Sequence, residues 1–588
     1  MHNRLPIALL LAFTAIIFVS SCFQPSLLDD ADSTHAEAAK EMIERNDWVT
    51  LHVNGVRYLE KAPMLYWLVA ISYRIFGVNQ FAVRLPLALA VVLLVWMIYV
   101  FGRWAYSEKA ALYAAAISAS CVGVFLFTRF MIPEALLTLL LTAGHYCFLR
   151  AFFGAGREKN FYYGFYAAMA LAVLTKGLIG AVFLAGPVFW FLLLTRNFTE
   201  LKNMRVLTGT LLFFAIATPW HLLAGYRNDR FLWFYFINEH VRRFLGTREP
   251  KDYNKVPFWS YWLLHLVWLF PWVIGLPLAL PKQFTPFWKM LDRRTMINLY
   301  LLIQAFCILI FFSISTSQEY YTFPAYAPLA LLLGAAFHSA EERALGRKYL
   351  TIASGVLAAI GILIAACLLT LVWKARNVPV TGDLSRLLDV VASDSDQYTL
   401  ALGHLFDLTT EAFAELRGPA VGAAVALSAG FFLAWFFRWR GQHGRSIAAM
   451  MVAMGVLFVS ANRAQIRFDP VLSSRGLADE IQKRWAPGAR IVFNGEYETG
   501  SSIAFYTDQE ILLLNGKVTG MAFGSTYPDA PPVFLDYEDM RRLWNGPNRI
   551  FLFTENIKKD KLLRNLNAPT FVVADKGGKS VLTNRPDG

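Results

Sequence analysis

Apolar residues fall into long, nearly uninterrupted runs along this chain, not into the spaced pattern of a soluble core. About thirteen such runs lie near 6–23, 81–102, 109–128, 131–153, 161–175, 177–195, 206–225, 257–280, 297–314, 320–337, 349–373, 417–437 and 446–461. They approach the roughly 17–25 residues that a helix needs to cross hydrocarbon. Basic residues mark alternate loops: Arg103 and Lys109, Arg157 and Lys159, Arg196, Lys202 and Arg205, Lys282, Lys289, Arg293 and Arg294, Arg343, Arg347 and Lys348, then Arg438, Arg440 and Arg445. This positive-inside pattern sets the N-terminus in the cytoplasm. An odd number of spans then puts the loops 24–80, 226–256 and 374–416, and everything beyond Ala461, on the outer face.

From residue 462 the pattern changes. RIVFNG, SSIAFYTD, EILLLNG and RIFLFTE read as short β-type runs separated by turn residues, with helical stretches near 472–485 and 556–566. The chain thus divides into a transmembrane part, 1–461, and a small extracytoplasmic α/β domain, 462–588. The tail holds no phosphate loop, HExxH or GxSxG motif, so guarding a substrate or binding a partner is expected of it more than catalysis.

Composition excludes one soluble domain: 56% of the 588 residues are hydrophobic and only 16% charged. The formal charge of +13 would suggest nucleic acid in a soluble protein, but here the basic residues sit in short loops and report topology. No nucleic-acid partner is expected. The five cysteines lie in or beside apolar runs without metal or disulfide spacing. Arg4, the first apolar run and Val19-Ser20-Ser21-Cys22 imitate a lipoprotein signal; the run is read as an uncleaved first membrane helix.

Candidate chemistry gathers in the first outer loop, 24–80. In DDADSTHAEAAKEM, Thr34 and Glu37 match a capping box, and Ala36, Ala39, Met42 and Ile43 recur at helical spacing. This predicts a short amphipathic helix along the membrane surface, with Asp29, Asp30 and Asp32 in the turn before it. One acid there favours a helix N-terminus. Three within four residues repel one another, which points to a nearby cation or a catalytic use. Further on, VRYLEKAPMLYW sets Glu60 beside Lys61, ahead of Tyr66 and Trp67. Alone, Lys61 reads as a snorkelling anchor. With the acidic turn, the loop holds a candidate base and a candidate phosphate-binding cation at headgroup height.

The order of these segments, followed by FAVRLP, LTKG (Leu174–Gly177), TPWH (Thr218–His221), FINEHVRRFLG (Phe236–Gly246) and FSISTSQEYYTFPAYAPLALLLG from Phe312, resembles the polytopic lipid-sugar-dependent glycosyltransferases of GT-C type. The aminoarabinose transferases and protein O-mannosyltransferases are members. The resemblance implies a multi-span α-helical enzyme of the bacterial inner membrane with its active site outside. It implies inverting transfer from a polyprenyl-phosphate sugar to a lipid (lipid A-like) or protein acceptor. Asp30 or Asp32 is then the catalytic base, and Lys61, Arg242 and Arg243 hold the donor phosphate. Glu60, His35, Glu239 and His240 orient the site or hold a divalent metal ion; no other cofactor is implied. Tyr58, Arg84, Glu134 and Lys176 are further candidates, with Glu134 also able to pair with Arg129. The family usually reads DExRYAE at the turn, where this chain has ADSTHAE. Ungapped alignment puts Ala31 at the base position, and a shift of one residue selects Asp30 or Asp32. A lipid or sugar transporter is the alternative from another class. It would be expected to show related halves and ionisable residues at the bilayer midplane.

Overall fold

A computed structural model of the chain describes residues 4–251, 256–279, 292–315, 318–380 and 410–586. Much of the expected outer loop 374–416, and part of the loop 226–256, lie outside the described residues. A helix falls on each of the thirteen apolar runs. Among the described residues, nine helices are long and apolar enough to cross a membrane, or ten counting Phe258–Trp268 with Trp272–Ala279, a pair bent by 97°. The expected span 109–128 breaks at Cys121 into Glu108–Ser120 and Val122–Leu126. The runs at 6–23 and 161–175 form helices of only 16 residues, Leu5–Ser20 and Phe161–Lys176.

The loop expected on the outer side, 24–80, folds as a helix, Ala31–Glu44, a hairpin of β1 (His52–Val53) and β2 (Val56–Arg57), and a helix, Met64–Phe76. The first helix corrects two expectations. It begins three residues before Thr34, so no capping box forms there. It is also not a surface helix, because Asp32 through Met42 are all buried. The reason is tertiary: its apolar face joins one core with Val83 and Leu87 of the bundle and with Ile491 and Phe493 of the tail. Its polar face is matched as well. Lys40 pairs with Glu37 at 3.2 Å and with Asp508 of the tail, and Glu41 accepts from the Gly55 N–H at 3.0 Å.

The tail forms a six-stranded sheet. Its strands are β3 (Arg490–Asn494), β4 (Ile511–Leu514), β5 (Phe534–Leu535), β6 (Ile550–Glu555), β7 (Phe571–Lys576) and β8 (Lys579–Thr583), in the order β5-β4-β3-β6-β8-β7. β5, β4, β3 and β6 run parallel, while β8 is antiparallel to β6 and β7. The SSIAFYTD run, expected as a strand, is a helix over Ser501–Thr507. Seven apolar or small residues fit a buried helix as well as a buried strand, and sheet packing decides between them.

Candidate active site

The three acids of the turn have three different environments. Asp32 is 1% exposed. Its Oδ2 accepts from Arg84 at 2.8 Å and from the Leu28 N–H at 3.2 Å, and its Oδ1 accepts from the Met131 N–H at 2.8 Å. Arg84 in turn donates to the carbonyls of Pro25 and Ser26. Both residues are therefore a buried structural pair, and Asp32 is not placed to act as a base. Asp29 is likewise enclosed, by the tail. Asp30 alone stays exposed. It holds φ 71 and ψ −134, a backbone region that costs a residue with a side chain about 1–3 kcal/mol and tends to mark functional positions.

Protein surrounds Asp30 closely although water reaches it, and it is not among the residues that line the cavity beside the turn. Desolvation raises its carboxyl most, Lys61 opposes, and Asp29 and Glu496 add; the result is about 6. Glu498, whose carbonyl accepts from the Asp30 N–H at 2.8 Å, is pushed up to about 8 by burial and by the charges of Asp30 and Glu60. Losing one partner of the Asp32 pair strands a buried charge, so Arg84→Met should lower stability by about 3–5 kcal/mol. Chemical unfolding in mixed micelles measures this, and an unchanged midpoint would show the pair to be dispensable.

Beside the turn lies a cavity of about 360 Å³ whose lining divides by chemistry. One end gathers Lys61, Glu60, Lys176, Glu134, Glu239 and Arg243; the other is apolar, with Val182, Val241, Phe244, Leu245 and Phe311. Val182, Val241, Phe244 and Leu245 are 41–64% exposed, so the apolar side chains lie at an open part of the cavity. At the polar end Glu60 accepts from Lys61 at 2.7 Å, Tyr58 at 3.0 Å and Arg248 at 2.9 Å. Burial opposes the charge on Glu60, but Lys61 and Arg248 overcome it and hold the carboxyl far below its usual range. Burial likewise opposes the charge on Lys61, and Glu60 more than restores it, raising the ammonium above its usual value. Arg248 also donates twice to Glu239, at 2.9 Å each. Arg243 lies 3.7 Å from Glu239 and donates to the Tyr321 hydroxyl at 3.3 Å.

The LTKG and FINEHVRR segments meet here. Gly177 takes φ 68, and the His240 ring packs where a Cβ would stand. That close approach lets His240 Nε2 accept from the Leu178 N–H at 3.1 Å while Nδ1 donates to the Tyr235 carbonyl at 2.6 Å, an assignment made from the partners. Lys176 pairs with Glu134 and sits 4.1 Å from the centre of the Tyr321 ring. The expected Arg129–Glu134 pair does not form: Arg129 donates to the carbonyls of Ser21 and Gln24 and to Asn462 and Gln465.

Several expected roles change. Arg242 does not line the cavity; it lies 3.8 Å from Glu249 and over the Trp233 ring, on the other side of the helical segment from Arg243. His35 lines the cavity, but its Nδ1 donates to the Met131 carbonyl at 2.7 Å and its Nε2 faces the Tyr58 hydroxyl at 3.5 Å. Burial, reinforced by Lys61, pushes its imidazole down to about 4, so it is neutral. Among the described residues no three His, Cys, Asp or Glu side chains gather as a metal site. Both ring nitrogens of His35 and His240 are engaged, and Glu60 and Glu239 are already taken by cations. These residues do not fit a divalent ion.

Arg248, which joins Glu60 to Glu239, was not among the expected site residues. It lies two residues beyond the FINEHVRRFLG segment, and a third arginine so near was the available signal. Tyr321 stood inside a recognised segment without an assigned role. Glu496 and Glu498 approach the turn from more than 460 residues away, and nothing local marks them.

Known proteins resemble this chain in sequence and in fold. Residues 60–222 match the family described as dolichyl-phosphate-mannose-protein mannosyltransferase. A curated relative from Aeromonas hydrophila, an undecaprenyl phosphate-alpha-4-amino-4-deoxy-L-arabinose arabinosyl transferase, is 31% identical over 320 residues, 53% of this chain and 56% of the relative. The same-named protein of Erwinia tasmaniensis is 25% identical over 91% of this chain and 90% of its own. The chain spans little more than half the length of the first three curated relatives it matches. In fold it superposes on ArnT from Cupriavidus metallidurans in the apo state with a TM-score of 0.79, 21% identity and 98% of each chain covered. The chain is thus a multi-pass membrane protein that shares the fold of ArnT. In sequence it is similar to the undecaprenyl phosphate-alpha-4-amino-4-deoxy-L-arabinose arabinosyl transferases, over about half of the chain for one and over 91% of it for another.

Proposed function

We propose that the chain is an inverting glycosyltransferase that moves a sugar from a polyprenyl-phosphate donor to a lipid or protein acceptor. The observation that carries this reading is a cavity lined both by cations and by exposed apolar side chains. A prenyl phosphate needs both ends in one molecule. Undecaprenyl phosphate, named for the curated relatives and bound in a second ArnT structure of TM-score 0.78, is the natural probe. Transport fits less well, because the ionisable groups gather at one mouth of the bundle instead of its middle.

In this mechanism the phosphate lies against Lys61 and Arg243, with Lys176 beside them. Asp30 takes the proton from an acceptor hydroxyl as its oxygen attacks the anomeric carbon from the face opposite the phosphate. The bond from that carbon to the phosphate oxygen breaks, the configuration inverts, and the two cations stabilise the charge that grows on the leaving phosphate. Lys61 is held for this task by Glu60, and Glu60 by Arg248 and Tyr58. The direct test is purified chain incubated with undecaprenyl-phosphate sugars, followed by mass spectrometry. Envelope lipids and glycoproteins of a deletion strain then identify sugar and acceptor. Absence of any sugar transfer in both would sink the proposal.

The same reading places the site on the outer face of the inner membrane. A reporter fused after Arg445 should report cytoplasm, and one fused near Asp508 the outer side. Both on one face would refute this topology.

A further inference from the structure

The turn that carries Asp30 is gripped on one side by the membrane bundle and on the other by the tail. Asp29 makes the second grip. Its Oδ1 accepts from the Ser502 N–H at 2.9 Å and the Ser502 hydroxyl at 2.6 Å; its Oδ2 accepts from the Ser474 hydroxyl at 2.6 Å and from Lys579 Nζ at 2.5 Å. The Asp29 side chain is 8% exposed and receives four hydrogen bonds, the charge-assisted kind that holds geometry best. One residue further on, the Asp30 N–H donates to the Glu498 carbonyl at 2.8 Å, and the Asp30 carbonyl accepts from the Ser501 hydroxyl at 3.3 Å. Every one of these tail groups lies more than 440 residues from the turn in sequence, on three separate segments of the tail.

A left-handed aspartate does not persist unless its surroundings over-determine it. Within the turn, the Asp30 carbonyl is also fastened to the Thr34 N–H at 3.2 Å, the first turn of the helix. Helix on one side and tail on the other leave the peptide between Asp29 and Asp30 no room to rotate.

We infer that Asp29, Ser502 and Lys579 form a positioning clamp through which the C-terminal region sets the reactive conformation of Asp30. The tail then takes part in sugar transfer without touching the donor. This inference rests on Asp30 being the base. A clamp that served only to fasten the tail would affect folding alone. A clamp on the base has a different signature, because a misplacement of about 1 Å at a reacting group costs on the order of a hundredfold in rate. The donor cavity is built by other residues, so lipid-phosphate binding is spared.

The test uses the full chain. Lys579→Met and Ser502→Ala are purified, their folded fraction is measured by thermal unfolding, and their affinity for undecaprenyl phosphate is compared with wild type. Transfer is read in membranes of a deletion strain as the rate at which the missing envelope product reappears, across pH. Expected are a fall in rate of about 10–100-fold per folded molecule, undecaprenyl phosphate affinity within about twofold of wild type, and recovery of most of the rate by Lys579→Arg. The acid limb should also leave its wild-type position, since Asp30 would shift relative to Lys61, Asp29, Glu496 and Glu498, the charges that face it. Asp29→Asn combined with Lys579→Met should cost little more than either alone, as for residues acting as a unit.

If Lys579→Met and Ser502→Ala keep the wild-type rate per folded molecule, or lose rate only as they lose folded protein, the clamp is overturned while the base assignment stands. If Lys579→Met does not fold, Ser502→Ala, which keeps the Ser502 N–H, decides alone. An active Asp30→Asn overturns the base assignment itself, and the clamp with it.

Discussion

Asp30→Asn should lower sugar transfer by about 10²–10⁴-fold, the range for removing a general base, while purified protein still binds undecaprenyl phosphate as tightly as wild type. The amide keeps the size of the side chain and can keep its place in the turn, but it accepts no proton. Because the base acts on the acceptor in the transition state, its loss appears in the rate and hardly in donor affinity. The wild-type enzyme carries a matching pH signature. A base works deprotonated, and desolvation, with Asp29 and Glu496, outweighs Lys61 and raises this carboxyl to about 6. Transfer should therefore be full above that pH and fall as pH drops through it, well above the range of an ordinary aspartate. Asp32→Asn, by contrast, should act on folding, because Asp32 is spent on Arg84. Wild-type transfer by Asp30→Asn would remove the base from this turn and shift attention to the neighbouring Glu498.

Lys61→Met should cut turnover by about 10²–10³-fold, the cost of one charge-stabilising donor at a developing anion. It should also weaken binding of undecaprenyl phosphate, since Lys61 meets that charge before and during departure. The protein should still fold. Glu60, the partner left behind, keeps Arg248 at 2.9 Å and the Tyr58 hydroxyl at 3.0 Å, so no buried carboxylate is stranded. Lys61→Arg is a sharper control: it keeps the charge but spreads it over a planar fork, so partial activity would separate charge from geometry. Near-normal turnover by Lys61→Met would reduce Lys61 to a membrane anchor and move the phosphate to Lys176 and Arg243.

Much of the site lay open to a reader of the sequence, and for a plain reason. Glu60 and Lys61 are neighbours in the chain, so their pairing needs no fold. Arg243 and Glu239 are four apart on a helical segment, and Lys176 closes a helix with the glycine that lets His240 approach. Where partners come from afar, the sequence was silent or misleading. Arg242 and Arg243 look equivalent as a pair, yet successive residues on a helix face different ways, and only one reaches the cavity. The acidic turn looked like three interchangeable carboxylates. Lys579, on a strand 550 residues away, claims the first, and Arg84, 52 residues on, claims the third.

What the sequence determined by itself is the membrane body: the apolar runs and the basic loops between them, from which an outer position of the loop and tail is expected. Bilayer physics makes this legible, since every backbone polar group in hydrocarbon must be satisfied within its own helix, and run length alone then specifies the element. Tertiary structure decided the rest. It turned a helix expected on the membrane surface into one buried between bundle and sheet, made a helix of SSIAFYT, and left one aspartate of three exposed. Periodicity records which face of an element is apolar; it carries no record of the distant side chain that will meet a given charge. That choice is made only when the tail folds onto the bundle, and it sets both the candidate base and the partners that hold it.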